Sequence, residues 1–100
     1  MERFLFVNCR PYLTSEELDN HEIRRAAAMM FKHVGQLAAR RAGHPMRSAT
    51  PYGCACAVIF LGSDEGRAAA LVTLENDFGL ECESIPSDDI AARLEGMRHG

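Results

Sequence analysis

The chain has 100 residues, 47% of them hydrophobic and 25% charged, and its formal net charge at pH 7 is −3. These values are typical of one globular domain and argue against an intrinsically disordered chain. No apolar run approaches the roughly 20 residues that a membrane-spanning helix needs. The N-terminal residues lack the apolar stretch and cleavage site of a signal peptide, so we expect a cytoplasmic protein.

The charges are distributed unevenly along the chain. Residues 1–50 hold eight Lys or Arg against five Asp or Glu, a balance of +3, whereas residues 51–100 hold three against nine, a balance of −6. Such an asymmetry can orient a partner through its electric field. It is too mild to predict a nucleic-acid-binding surface, which requires a clustered basic face.

The first half of the chain predicts a strand followed by a long helix. Residues 3–9 read as a strand, and Thr14 with the glutamate three residues later has the form of a helix capping box. A second helix start lies at Asn20, after which apolar residues recur at helical spacing until Gly43 ends the helix. The sequence leaves open whether residues 14–19 form a separate turn or the first turns of this helix.

The second half of the chain predicts a hairpin, a helix, an edge strand and a final helix. Glycine or proline separates these elements, and acidic residues at both helix starts complement the helix dipole. The predicted ranges are strands over residues 46–50 and 54–61 joined by the turn Pro51-Tyr52-Gly53, a helix over residues 63–78, a strand over residues 80–85 and a helix over residues 87–97.

The resulting order predicts an α+β fold, a ferredoxin-like βαββαβ antiparallel sheet with an added C-terminal helix, in one domain over residues 1–100. In this fold the first strand lies between the third and the fourth. If the strand over residues 46–50 is absent, the order becomes βαβαβα and a small three-layer fold is the alternative.

The strand over residues 54–61 is apolar on both faces, because side chains of a strand point alternately to opposite sides. Val58 and Phe60 share one face with the cysteines, and Ile59 and Leu61 share the other. A strand that is apolar on both faces is covered on both sides of its sheet. We therefore expect Val58 and Phe60 to contact a partner, either a second copy in a face-to-face homodimer or a larger protein. The alternative is that the final helix covers the open face.

Four cysteines are expected to lie toward the same end of three adjacent strands: Cys9, Cys54, Cys56 and Cys82. They suggest a zinc or iron–sulfur site or a pair of redox-active thiols. The Cys-x-Cys spacing is not that of a zinc knuckle, and buried free cysteines commonly act as small hydrophobic residues. We therefore expect core packing and no cofactor.

Basic residues cluster after the long helix, at Arg40, Arg41, His44 and Arg47. Guanidinium groups bind phosphates, carboxylates and acidic protein surfaces, so these residues are predicted to bind a partner. The simpler interpretation is that cations at the end of a helix complement its dipole. The histidines lack the spacing of a metal site, and we expect none of them to bind a metal.

No catalytic motif is present: the sequence has no nucleophile elbow, phosphate-binding glycine loop or dinucleotide-binding fingerprint. We therefore predict a non-enzymatic interaction or regulatory module that either binds a larger assembly or binds and inhibits it. An antagonist encoded by a phage or a mobile element is one such protein. Its acidic C-terminal half would suit a basic nucleic-acid channel on the target.

Two other classes of function remain open at the level of sequence. A dimeric ferredoxin-like enzyme or small-ligand binder would enclose a cavity, for which Tyr12, Tyr52, His33 and Arg10 are the candidate lining residues. A metal or thiol protein would use the four cysteines instead.

Overall fold

The observed element order is βαββαβ with short helices added before the long helix and after the last strand. The computed structural model describes residues 2–51 and 56–99. The elements are β1 (Arg3–Asn8), α1 (Ser15–Leu18), α2 (His21–Arg41), β2 (Arg47–Ala49), β3 (Ala57–Leu61), α3 (Asp64–Phe78), β4 (Glu81–Pro86) and α4 (Ile90–His99). None of the helices in these ranges is both long enough and apolar enough to cross a membrane.

The four strands form one antiparallel sheet in the order β2-β3-β1-β4. Leu5 of β1 lies opposite Phe60 of β3, and Val7 of β1 lies opposite Cys82 of β4. The ferredoxin-like α+β prediction is confirmed. The presence of β2 removes the three-layer alternative.

Two successive caps separate α1 from α2. The Thr14 hydroxyl accepts a hydrogen bond from the Glu17 amide, and the Glu17 carboxylate accepts one from the Thr14 amide at 2.8 Å. The Asn20 side chain then accepts bonds from the Glu22 and Ile23 amides. Because each cap satisfies amides that a helix start leaves unpaired, residues 14–19 form their own short helix before α2.

The main core lies between one face of the sheet and the helices α2 and α3. Its largest fully buried side chains are Phe31, Phe60, Leu5, Leu74, Val7 and Val58. Helix α2 contributes Ala28 and Phe31 to this core, and its other buried residues are Ala27, Gly35 and Ala39. Small residues at most of these positions let the helix backbone approach the sheet closely.

Helix α4 covers part of the second face of the sheet. Phe6, Ala57 and Ile85 are buried there, with Ile90 and Leu94 of α4 packed against them. Each such burial contributes about 1.5–3 kcal/mol for a large apolar side chain. At these positions, α4 of the same chain covers the sheet, and no second molecule is needed there.

Candidate functional site

The predicted cations flank the turn between α2 and β2, and we call Arg40, Arg41, His44 and Arg47 the basic surface. Arg40 and Arg41 end α2, His44 lies in the turn and Arg47 begins β2. All four side chains are exposed. Within the described residues none of them forms an ion pair or a side-chain hydrogen bond. Unpaired surface cations of this kind are available to carboxylates or phosphates on another molecule.

The backbone of this turn is held in place at both ends. The His44 amide donates to the Ala39 carbonyl at 2.9 Å, and Gly43 adopts a left-handed conformation with φ of 83°. On the α3 side, a methyl group added to Gly66 would come within 2.5 Å of the His44 carbonyl oxygen. The turn therefore packs tightly against the start of α3, and the cations project from a fixed support.

A cleft of about 530 Å³ lies beside the basic surface. Arg3, Arg47 and Arg67 are among its lining residues, together with Glu2. The topology explains this convergence, because antiparallel pairing places the start of β1, the end of β3 and the start of β2 at the same end of the sheet. Sequence reasoning missed Arg3 and Arg67, although the predicted strand order contained the signal that would have found them.

The three arginines of the cleft differ in their partners. Arg3 donates to the Ser84 hydroxyl at 3.0 Å and to the Ser84 carbonyl at 2.9 Å. Arg67 is ion-paired with Asp64, one turn earlier in α3. Arg47 has no such partner among the described residues. It is thus the cation of the cleft best placed to meet a charge from outside the protein.

The two edge strands of the sheet differ in charge. Arg47 lies on the edge strand β2, whereas Glu81 and Glu83 are exposed on the other edge strand, β4. Glutamates at an exposed edge also discourage unwanted strand pairing. Glu83 is bound by Arg93 of α4, and this hydrogen bond holds the pKa of Glu83 below its ordinary value.

The solvent-facing side of α2 is a second candidate surface. Ile23, Met30 and Leu37 are 37, 41 and 44% exposed. They recur every seven residues and therefore form one line along the helix, which we call the α2 stripe. Large exposed apolar side chains aligned in this way are typical of interaction surfaces. These residues belong to the helical apolar repeat from which the sequence predicts this helix, and periodicity alone does not show how much of that repeat the sheet covers.

Val58 and Phe60, which were predicted to contact a partner, lie on the face of the sheet that α2 and α3 cover. Both are 0% exposed, in the core beneath α2 and α3. Their side chains therefore have no surface to offer a partner. The alternation along β3 was predicted correctly, but the sequence did not show that the helices cover the face that carries Phe60.

The three described cysteines lie on the helix-covered face of the sheet, in or against the main core. The Cys9 amide donates to the Cys56 carbonyl at 2.8 Å, and Cys82 lies opposite Val7 on β4. Burial, aided by the neighbouring thiols, raises the pKa of Cys9 to about 12. Burial raises the pKa of Cys82 to about 12 and also raises that of Cys56. These thiols are protonated at neutral pH and are poor nucleophiles there.

The arrangement expected of a metal site is not present in the described ranges, where no three His, Cys, Asp or Glu residues are grouped to hold an ion. Cys54, the fourth predicted cysteine, lies outside those ranges. The zinc and iron–sulfur alternatives therefore find no support in the part of the site that is described.

The residues proposed to line an enzymatic cavity are dispersed. Tyr12 packs edge-on against Phe31 with ring centroids 5.0 Å apart, His33 is exposed on α2, and Arg10 lines a separate cleft of about 760 Å³ between β4 and α4. Tyr52 lies outside the described residues. Comparison of the chain with protein-family models, curated proteins and solved structures finds no match.

Proposed function

We propose that this protein is a non-enzymatic interaction module that binds an acidic surface of a larger protein assembly through its basic surface. The observation that carries the proposal is the set of exposed cations, Arg40, Arg41, His44 and Arg47, which have no ion-pair partner within the described chain. The chain as a whole is acidic, so this concentration of positive charge is local.

The rigid support of the turn favours recognition over a merely solvated end of a helix. Two cations would suffice to complement the dipole of α2, and Arg40 and Arg41 already lie in its last turn. His44 and Arg47 lie beyond the helix, and Arg47 extends the positive charge into the cleft that Arg3 and Arg67 also line. This extent of charge suits a partner that presents several carboxylates, with electrostatic steering of the encounter.

The proposed regulatory effect of this binding is inhibition of the larger assembly. A bound module of about 11 kDa would cover a site on the larger assembly, as expected of a phage- or mobile-element-encoded antagonist. The cytoplasmic setting expected from the sequence belongs to the same proposal, since reducing conditions keep buried thiols free.

The test is fluorescence anisotropy with a labelled peptide of alternating glutamate and leucine. The site variant is Arg41→Gln with Arg47→Gln, and the control is Arg25→Gln with Lys32→Gln, which removes the same charge from another part of α2. We expect the site variant to lose about fivefold or more in affinity and the control to bind as the wild type does.

An equal loss in the two variants would mean that only net charge matters, which would contradict the proposal. An unlabelled DNA duplex of similar charge serves as competitor. Preference for the duplex over the peptide would also contradict it, because the proposed partner is a protein.

A further inference from the structure

The α2 stripe lies within an uncharged stretch of exposed surface. Every exposed residue of α2 between Arg25 and Arg40 lacks a permanent charge; these residues are Ala26, Met29, Met30, His33 and Leu37. An exposed helix face is ordinarily rich in charged residues. A seven-residue apolar repeat is the pattern with which two helices pack along a shared seam.

We propose that the stripe binds α2 of a second copy of this chain, with the two helices antiparallel about a twofold axis at Met30. In that arrangement, residues whose numbers sum to 60 lie at the same height along the axis. Ile23 of one copy then meets Leu37 of the second copy, and Met30 meets its own equivalent. Each large apolar side chain of the stripe thereby packs against a large apolar side chain of the second copy.

The charges at the ends of α2 select this orientation. Glu22 and Arg40 are 18 residues apart, which is five turns of 3.6 residues, so they occupy the same flank of the stripe. The twofold axis brings Glu22 of one copy to within about 3 Å, along the axis, of Arg40 of the second copy. The same contact occurs twice. A parallel pair would instead place each Glu22 at the height of the other Glu22, and each Arg40 at the height of the other Arg40, so that no opposite charges would meet.

Both charged groups are free to make this contact. Glu22 and Arg40 are exposed, and neither forms an ion pair within the described residues. An unrelated acidic protein would satisfy Arg40 and leave Glu22 facing a like charge. A second copy pairs both Glu22 and Arg40 with opposite charges, and we therefore assign the α2 stripe to a second copy of this chain.

The contact is small, because it consists of one helix about 30 Å long with three large apolar side chains from each copy. The dimer is therefore concentration-dependent. The dimer uses Arg40 of the basic surface but leaves Arg47 and the cleft free on each copy, so it does not depend on the proposed function.

Sedimentation velocity over about 1–500 µM protein is the first test, with folding checked by circular dichroism. We expect a reversible monomer–dimer equilibrium for the wild type. Met30→Glu places two carboxylates at the twofold axis and should abolish the dimer. The control Val72→Glu adds the same charge at the 53% exposed Val72 of α3 and should leave the dimer intact.

Charge exchange tests the orientation. Glu22→Arg and Arg40→Glu should each weaken dimerisation by about threefold to tenfold, and the double variant should return to within about twofold of the wild type. A wild type that stays monomeric throughout, or a dimer that is insensitive to Met30→Glu, would overturn the proposal. A double variant no better than the two single variants would overturn the antiparallel pairing. None of these results depends on the peptide-binding variants at Arg41 and Arg47, so the two proposals fail separately.

Discussion

Gly35 of α2 lies directly against the ring of Phe60 on β3. A methyl group added to Gly35 would come within 2.4 Å of the Phe60 Cζ atom and within 2.7 Å of Cε1. Real carbon atoms do not approach this closely, so any side chain at Gly35 must displace either the helix or a fully buried ring. This contact sets the distance of α2 from the sheet.

Gly35→Ala should destabilise the protein even though alanine favours helices. The overpacking cost of about 1–3 kcal/mol exceeds the gain in helix propensity of about 1 kcal/mol. Urea unfolding measures the difference. Gly96→Ala in α4 is the matched control, because nothing lies within 4 Å of its added methyl group. Gly96→Ala is expected to raise the free energy of unfolding. A Gly35→Ala variant as stable as Gly96→Ala would show that α2 is not in close contact with the Phe60 ring.

Phe60 itself should behave as a core residue. Its 0% exposure predicts that Phe60→Ala lowers the free energy of unfolding by about 3–5 kcal/mol, with part of the loss due to the cavity left behind. Phe60→Glu should prevent folding, because no partner for a buried carboxylate is available there. A folded Phe60→Glu variant, seen as a dispersed NMR spectrum, would return Phe60 to the surface and contradict this packing.

Arg93 connects α4 to the sheet through side-chain contacts. Its guanidinium lies 5.6 Å from the centroid of the Phe6 ring and makes two hydrogen bonds to the Glu83 carboxylate. Arg93→Ala should therefore cost about 1 kcal/mol, the size of an exposed ion pair with a cation–π contact. Arg25 has no ion-pair partner within residues 2–51 and 56–99, and Arg25→Ala should have little effect on thermal unfolding.

The Arg93–Glu83 pair should also make stability depend on pH in the acid range. The hydrogen bond from Arg93 lowers the pKa of Glu83 from 4.5, so this contribution is present above that value and is lost as the pH falls through the lowered pKa. The difference in unfolding free energy between the wild type and Glu83→Gln should therefore shrink below pH 4.5. A difference that is constant with pH would mean that the pair is not formed in solution.

The buried thiols should make the protein sensitive to alkali. Burial raises the pKa of Cys9 from 9.0 to about 12, so the stabilisation is complete below pH 9.0 and is lost as the pH rises toward 12. Over that pH range, ionisation of each such thiol in the unfolded chain lowers the free energy of unfolding by up to about 1.4 kcal/mol per pH unit. Urea unfolding under reducing conditions should show a shallower decline for Cys9→Ala than for the wild type. Equal slopes would indicate that the Cys9 thiol is accessible to solvent.

Local signals in the sequence were sufficient for most of the fold. The capping box at Thr14, the cap at Asn20 and the left-handed Gly79 depend on neighbours within a few residues, and each ends or begins a helix where predicted. The order of the elements then limits the sheet to a few topologies, of which the ferredoxin-like one is present.

The candidate site was predicted only in part. Arg40, Arg41, His44 and Arg47 are adjacent in sequence and could be grouped by inspection, whereas Arg3 and Arg67 join them at the cleft only through strand pairing and the start of α3. A side chain's partners depend on contacts between distant segments, and periodicity does not encode them.

The sequence by itself determined the elements, their order and the alternation of apolar residues along each strand, because backbone hydrogen bonding and side-chain periodicity act over a few residues. Only the tertiary structure decided which face each helix covers. It placed Phe60 beneath α2, set α4 over Phe6, and left Met30 exposed. The physical reason is that two apolar faces of one strand are equivalent locally, and the packing of distant helices makes them different.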